Sequence, residues 1–282
     1  AHIFPGGGMK LDINRAWTDA INLIQTNLSV VAVVAGVFFF LPYLAFVLFM
    51  PDVSAMGIES NPQDPTAAFN QVMALYADIW WMVALLTIAQ TIGTLALLAL
   101  LRAGNRPTVG QAIAIGAIGF LTSIAATIIF YIGFSVVAGL ILGAAAAVGV
   151  TALTVILGIA IFVAFVYIAI KLSLLAPVIA IEKVYNPLAA MMRSWRLTKG
   201  NSLRIFAFLA LLIIAVVVVS MVLGLIVGLV FGLAGGEVAR IGGGLFNSVL
   251  NAVYVVLMLG VLAAIHRQLA GPDAEVVSET FE

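Results

Sequence analysis

Cysteine is missing from all 282 residues, and charge is scarce, with Asp, Glu, Lys and Arg together making up only 9%. The missing thiol removes disulfides, thiolate metal sites and cysteine nucleophiles together. Histidine occurs twice, as His2 and His266, with no clustered carboxylates to complete a metal or acid–base set. No catalytic residue, metal ligand or cofactor is therefore expected, and the chain is expected not to be an enzyme. The formal net charge is zero, so no basic excess points to nucleic acid.

The shortage of charge is itself informative. A soluble domain carries about a quarter charged residues. Here 64% of residues are hydrophobic and the mean hydropathy is +1.25, which reads as an all-α, polytopic membrane protein. A crossing needs about 20 apolar residues, and six runs qualify, near 28–50, 79–101, 119–142, 148–170, 203–233 and 245–265. They form three hairpins with amphipathic interfacial helices. The boundary between the third and fourth runs is soft, because 143–150 is uncharged and merely small. The fifth is overlong, so tilt or an early exit in its glycine-rich end is expected. Residues 1–8, ahead of Met9, read as an added remnant or extension, 9–269 as the six-helix membrane domain, and 270–282 as a polar tail.

Orientation follows from the basic residues of the short loops. Lys10, Arg15, Arg102, Arg106, Lys171, Lys183, Arg193, Arg196, Lys199, Arg204 and Arg267 fall on one side of the six runs, and only Arg240 on the other. By the positive-inside rule both termini are cytoplasmic. The outer loop, 51–78, reads as turns and a short helix near 65–77 leading to the Trp80–Trp81 interface anchor. Residues 236–244 (GEVARIGGG) read as a flexible outer turn.

Three stretches at the basic side share a pattern: 12–27, 108–123 and 186–201. Each opens on a residue able to cap a helix, Asp12, Thr108 and Asn186, whose side-chain oxygen can accept an orphan backbone N–H. Thr108 with Gln111 makes a capping box, and Pro187 takes the favoured first helical position. Counting from each cap, the fourth residue is Ala16, Ala112 or Ala190, the eighth is Ala20, Gly116 or Ser194, and the fifteenth is Asn27, Ser123 or Asn201. Three parallel units are implied, each a surface helix followed by a hairpin. In the first, Ile13, Trp17, Ala20, Ile21, Ile24 and Leu28 share an apolar face, as in a helix lying in the membrane plane.

The third stretch carries a family likeness. Residues 176–206 (APVIAIEKVYNPLAAMMRSWRLTKGNSLRIF) resemble the signature of the membrane domain of glycerophosphoryl diester phosphodiesterases and its stand-alone relatives, which lack the catalytic barrel. In that pattern an acid follows an Ala-Pro apolar run, and a Pro-Leu-Ala helix leads into Ser-Trp-Arg-Leu-Thr and a glycine. Glu182, Pro187, Leu188, Ser194, Trp195, Arg196, Leu197, Thr198 and Gly200 occupy those places. The resemblance implies a six-span module from about Lys10 to Arg267 in a bacterial inner membrane. It implies no hydrolase, because the phosphodiesterase chemistry of fused members belongs to a separate soluble barrel.

Candidate sites follow from polar residues among apolar ones. Lys171, Glu182, Arg193, Trp195, Arg196, Lys199 and Arg204 form a platform suited to headgroups, where a basic residue gains about 1 kcal/mol near an anionic surface. Lys171, at a span end, is expected to snorkel to the headgroups. Glu182 is expected to pair with Arg193 or Arg196, and Pro177 to bend the chain between Lys171 and Glu182. Thr87, Gln90, Thr91 and Thr94, with Asn251 in the last span, make an intramembrane polar face. Either a polar path or interhelical hydrogen bonds would explain it. Gly224, Gly228 and Gly232, and Gly139 with Gly143, read as close helix packing or an oligomer seam. The leading expectation is a non-enzymatic scaffold or partner- and lipid-interacting module in envelope homeostasis, its partners being anionic lipids and a membrane protein or second copy. The competing class is a small transporter or lipid-translocating protein.

Overall fold

The computed structural model describes residues 10–50, 65–102, 107–233 and 235–271, and all the regular structure among them is helical. In chain order the elements are α1 (Ile13–Thr26), α2 (Leu28–Ala35), a π-helical turn (Gly36–Phe40), α3 (Leu41–Phe49), α4 (Pro65–Leu100), α5 (Val109–Ala147), α6 (Thr151–Lys171), α7 (Leu175–Ala180), α8 (Pro187–Leu197), α9 (Ser202–Gly232) and α10 (Gly236–Ala270). Six stretches of described helix are long and apolar enough to cross a membrane: Leu28–Phe49, Phe69–Leu100, Val109–Ala147, Thr151–Ala180, Ser202–Gly232 and Gly236–Ala270. The chain is a multi-pass helical membrane protein.

The helices overrun the apolar runs that announce them. The short outer helix expected near 65–77 is the first part of α4, and the stretch 108–123 is continuous with the third span as α5. The soft boundary resolves at Gly149, whose φ of 75° lies where a side chain is disfavoured, so α5 turns into α6 within three residues. The fifth run is one unbroken helix, α9, to Gly232. The first span departs from a plain α-helix. Pro42 has no N–H for the turn before it, and the chain widens there, with Leu41 N–H reaching Gly36 O. Proline and π-bulges are the usual causes of a helix deformation. The Asn251 amide donates to Phe39 O of this turn at 3.4 Å.

The residues expected as a flexible outer turn, 236–244, are instead the first turns of α10. Their glycines are spent on close approach: a Cβ at Gly242 would lie 2.5 Å from the Phe231 ring of α9. The stripe Gly224, Gly228 and Gly232 behaves in the opposite way. A Cβ at any of them, or at Gly139 or Gly143, meets nothing within 4 Å, so these glycines seat no helix of this chain.

The buried core lies at one end of the bundle. It is built from α1, α2, Phe39 of the π-helical turn, residues 95–101, Ala112 of α5, α7, α8, Ile205, Phe208 and Leu212 of α9, and residues 259–265 of α10. Leu95–Leu101 are buried all round the helix, the mark of a segment enclosed by neighbours. By contrast, the apolar windows of the third, fourth and fifth spans are only 6%, 0% and 6% buried within the chain. The three expected caps form: Asp12 Oδ1 accepts from Arg15 N–H at 3.1 Å, Thr108 Oγ1 from Gln111 N–H at 3.3 Å, and Asn186 Oδ1 from Ala189 N–H at 3.0 Å. Gln111 Oε1 completes the capping box by accepting from Thr108 N–H at 2.9 Å. Ala16, Ala112 and Ala190 are each 0% exposed. On α1 the buried face is Ala16, Ala20, Leu23 and Ile24, while Trp17 and Leu28 of the expected face stay exposed.

The glycines give a sharp contrast in mutational cost. A Cβ at Gly116 would stand 2.5 Å from Ile92 O, a backbone atom that cannot swing away. Gly116→Leu is therefore expected to cost at least the 1–3 kcal/mol typical of overpacking (roughly), whereas Gly224→Leu leaves the monomer's melting temperature in detergent near that of the parent. Equal melting of the two variants would contradict the packing described.

Candidate functional site

The platform begins where α6 ends. The chain leaves the helix at Leu172–Leu174 and restarts as α7. Pro177 is the third residue of α7, where its missing N–H costs little because first-turn N–H groups have no helical partner. The expected bend at Pro177 is thus a break three to five residues earlier, at Leu172–Leu174 directly after Lys171. Beyond α7 the backbone passes through Lys183 at φ 55° and reaches the Asn186 cap of α8.

Glu182 stands two residues past the fourth span and gathers two donors. Arg193 grips it with both edges of its fork, Nε donating to Oε2 at 2.8 Å and Nη2 to Oε1 at 3.0 Å. From α10, His266 Nε2 lies 2.9 Å from Oε1, and the histidine is 3% exposed. Burial pushes the Glu182 carboxyl up, but the hydrogen bonds and charges of His266 and Arg193 outweigh it and lower the pKa from 4.5 to about 2. Of the two partners expected for Glu182, Arg193 is the one it takes. His266 is the residue that sequence reasoning missed. As the only imidazole, acid or basic residue between Arg240 and Arg267, it carried the signal that marks an intramembrane functional group.

Lys171 does not snorkel. The residue is 3% exposed, and its ammonium lies 5.5 Å from the Tyr167 ring centroid and 5.6 Å from that of Trp195. The two rings meet edge to face at 6.0 Å. Its carbonyl is bonded as well, accepting from Ser194 Oγ at 2.8 Å and Thr198 Oγ1 at 3.4 Å. Because α6 stops here, that carbonyl is an end-of-helix orphan, and two hydroxyls of α8 and its cap satisfy it. The side chain folds inward because its own helix end is sealed on this side.

The other platform cations divide into tied and open groups. Arg204 Nη1 donates to Leu11 O at 3.0 Å, and Asn201 Oδ1 accepts from Leu11 N–H at 2.9 Å. Together they clamp the segment ahead of α1, which Gln268 holds from the other side by bonds to Asp12 N–H and O. Arg193 is committed to Glu182. Arg196 touches Met192 O of its own helix at 3.4 Å and is exposed, as is Lys199. The seven expected headgroup residues therefore form no single surface. Arg196 and Lys199 face outward, Trp195 is 39% exposed, and Lys171, Glu182, Arg193 and Arg204 hold the platform together.

Residues 146–270 match the family model for the membrane domain of glycerophosphoryl diester phosphodiesterase. The likeness carried by residues 176–206 thus extends over the last three spans. No curated protein and no solved structure matches the chain. Lys171, Glu182, Arg193, Trp195 and His266 all fall inside the matched membrane domain, and the Thr87–Thr94 face falls outside it.

That face is not gathered into one site. Thr87 is exposed and donates to Val83 O of its own helix at 2.7 Å, Gln90, Thr91 and Thr94 are half-buried, and Asn251 turns to Phe39. Among the described residues no three His, Asp or Glu side chains are grouped to hold a metal ion.

The Glu182 cluster has a stability cost attached to it. Removing one partner of a buried ion pair strands the others, so Glu182→Ala is expected to destabilise by about 3–5 kcal/mol. A carboxyl whose folded pKa is lowered stabilises fully above its unfolded value and loses that contribution as pH falls towards the folded value. About 3 kcal/mol should therefore disappear between pH 4.5 and about 2, read as a melting temperature that falls more steeply in the parent than in Glu182→Gln. Parallel pH profiles would remove the carboxylate from the account.

Proposed function

We propose that this chain is a non-enzymatic membrane module of the bacterial inner membrane, with both termini cytoplasmic, whose platform meets anionic lipids and a protein partner in envelope homeostasis. The observation that carries the lipid part is the outer side of α8. Leu188, Met192 and Trp195 are 55%, 58% and 39% exposed and recur at helical spacing, beside the exposed cations Arg196 and Lys199. An apolar edge flanked by basic residues is the pattern of a helix seated at a membrane surface. α1 has the same character, with Trp17 exposed beside Asn14, Arg15 and Thr18.

The three capped stretches are, on this reading, copies of one unit. The caps engage the same third N–H, and the eighth residue of each abuts a span of another unit: Ala20 O lies 3.5 Å from a Cβ built on Gly260, Gly116 adjoins Ile92 O, and Ser194 bonds Lys171 O. Units one, two and three thus lean on the sixth, second and fourth spans in turn, which closes a ring of three. A ring with little buried area in its third to fifth spans suits a module that leaves its flanks to lipid or to another protein. The transporter reading draws support from the half-buried Gln90, Thr91 and Thr94, which a water-filled path would solvate. Thr94→Cys reacting with a membrane-impermeant thiol reagent would favour it.

The absence of cysteine makes the topology directly testable. A single Lys199→Cys should label only from the cytoplasmic side, and Ser54→Cys only from the other. For the lipid contact, Arg196→Gln with Lys199→Gln should weaken retention of phosphatidylglycerol roughly thirtyfold, from about 1 kcal/mol per basic residue. Unchanged retention would leave these cations with topology alone.

A further inference from the structure

Lys171 poses a problem that the platform does not solve internally. A buried charge is normally paired, because desolvating it alone is expensive. Yet among the described residues no carboxylate stands within ion-pair distance of the Lys171 ammonium. Glu182, the acid of the same platform, has both oxygens engaged by Arg193 and His266. The aromatic pair compensates part of the cost, since a cation over a ring face is attracted by its quadrupole. It offers no acceptor in the plane, and an ammonium has three N–H donors.

The surroundings are also donors. Trp195 brings an indole N–H, which can only donate, and Tyr167 a phenol hydroxyl. No bond of this chain engages either group among the described residues. Both rings are open to the outside, Tyr167 at 49% and Trp195 at 39% exposure, so the cation stands directly behind an exposed surface. The position is set from below by the bonds of Ser194 and Thr198 to the Lys171 carbonyl, which fix α8, and hence Trp195, against the end of α6.

We infer that Lys171, Trp195 and Tyr167 form a discrete site for a phosphate oxyanion, with the ammonium as the charge partner and the indole and phenol as neutral donors. An oxyanion answers each unmet requirement at once: it pairs the charge, accepts from the ammonium and the indole, which have only hydrogens to give, and can accept from the phenol as well. The inference rests on the lipid-contact reading for its preferred source, a lipid headgroup, but it concerns one buried residue and not the exposed Arg196 and Lys199. The same chemistry would serve a soluble phosphate.

The test uses the full-length protein purified in detergent. Native mass spectra would be recorded with phosphatidylglycerol, with phosphatidylcholine and with inorganic phosphate in place of lipid. The expected result is a tightly held phosphatidylglycerol that Lys171→Met weakens at least tenfold and Lys171→Arg retains, while Trp195→Phe weakens it several-fold without changing helix content. Phosphate that raises the melting temperature of the parent but not of Lys171→Met, in the absence of lipid retention, would support the site with a soluble ligand as its source. Retention equal in the parent, Lys171→Met and Trp195→Phe overturns the site while leaving lipid contact at Arg196 and Lys199 intact. A parent that holds neither anionic lipid nor phosphate overturns both. Should Lys171→Met fail to fold, Trp195→Phe and Tyr167→Phe decide the matter, and unchanged retention in both overturns the site.

Discussion

One carboxylate sets the geometry of the basic end of this bundle. Glu182 sits on an irregular link between α7 and α8, a segment with no helix to hold it. Arg193 reaches back to it across eleven residues, and His266 reaches it from the far end of the chain. The link, α8 and the last span are thereby fixed to a single point. Loss of the carboxylate is costly, since His266 would remain buried and unmet.

The rest of the platform is assembled by similar economy. Helix ends leave carbonyls and N–H groups without partners, and here side chains from elsewhere in the chain meet them. Ser194 and Thr198 seal the end of α6 at Lys171 O, and Asn201, Arg204 and Gln268 hold the backbone of Leu11 and Asp12. Within lipid there is little hydrophobic drive for helices to associate, and close packing or polar bonds must supply it. The buried core and these bonds share one end of the bundle, while the middle spans present Leu, Ile, Val and Phe to their surroundings. A firm end and loosely joined spans are two consequences of the same solvent.

Much of this was legible from residue order. The six spans follow from apolar runs, and the caps at Asp12, Thr108 and Asn186 follow from side chains placed just ahead of them, because both depend on neighbours along the chain. The family likeness at 176–206 is likewise local. The glycines were less transparent. Gly224, Gly228 and Gly232 have the spacing of a packing seam yet face no neighbour in this chain, whereas Gly116, Gly242 and Gly260 make the close approaches. Spacing says which residues share a helix face, and only the neighbouring helix says whether that face is filled.

The sequence by itself determined the solvent, the six apolar spans and the helix caps at Asp12, Thr108 and Asn186, since hydropathy and capping act over a few turns. Tertiary structure decided which charges are spent and which remain. Arg193 and Arg204 read like Arg196 and Lys199 in the chain, but the first two are tied to the Glu182 carboxylate and Leu11 O and the second two are exposed. His266 and Glu182 are 84 residues apart in the chain and 2.9 Å apart in space. Lys171 ends behind the Tyr167 and Trp195 rings, where α8 folds back to seal its helix. Electrostatic pairing depends on distance through space, and that distance is set by the fold.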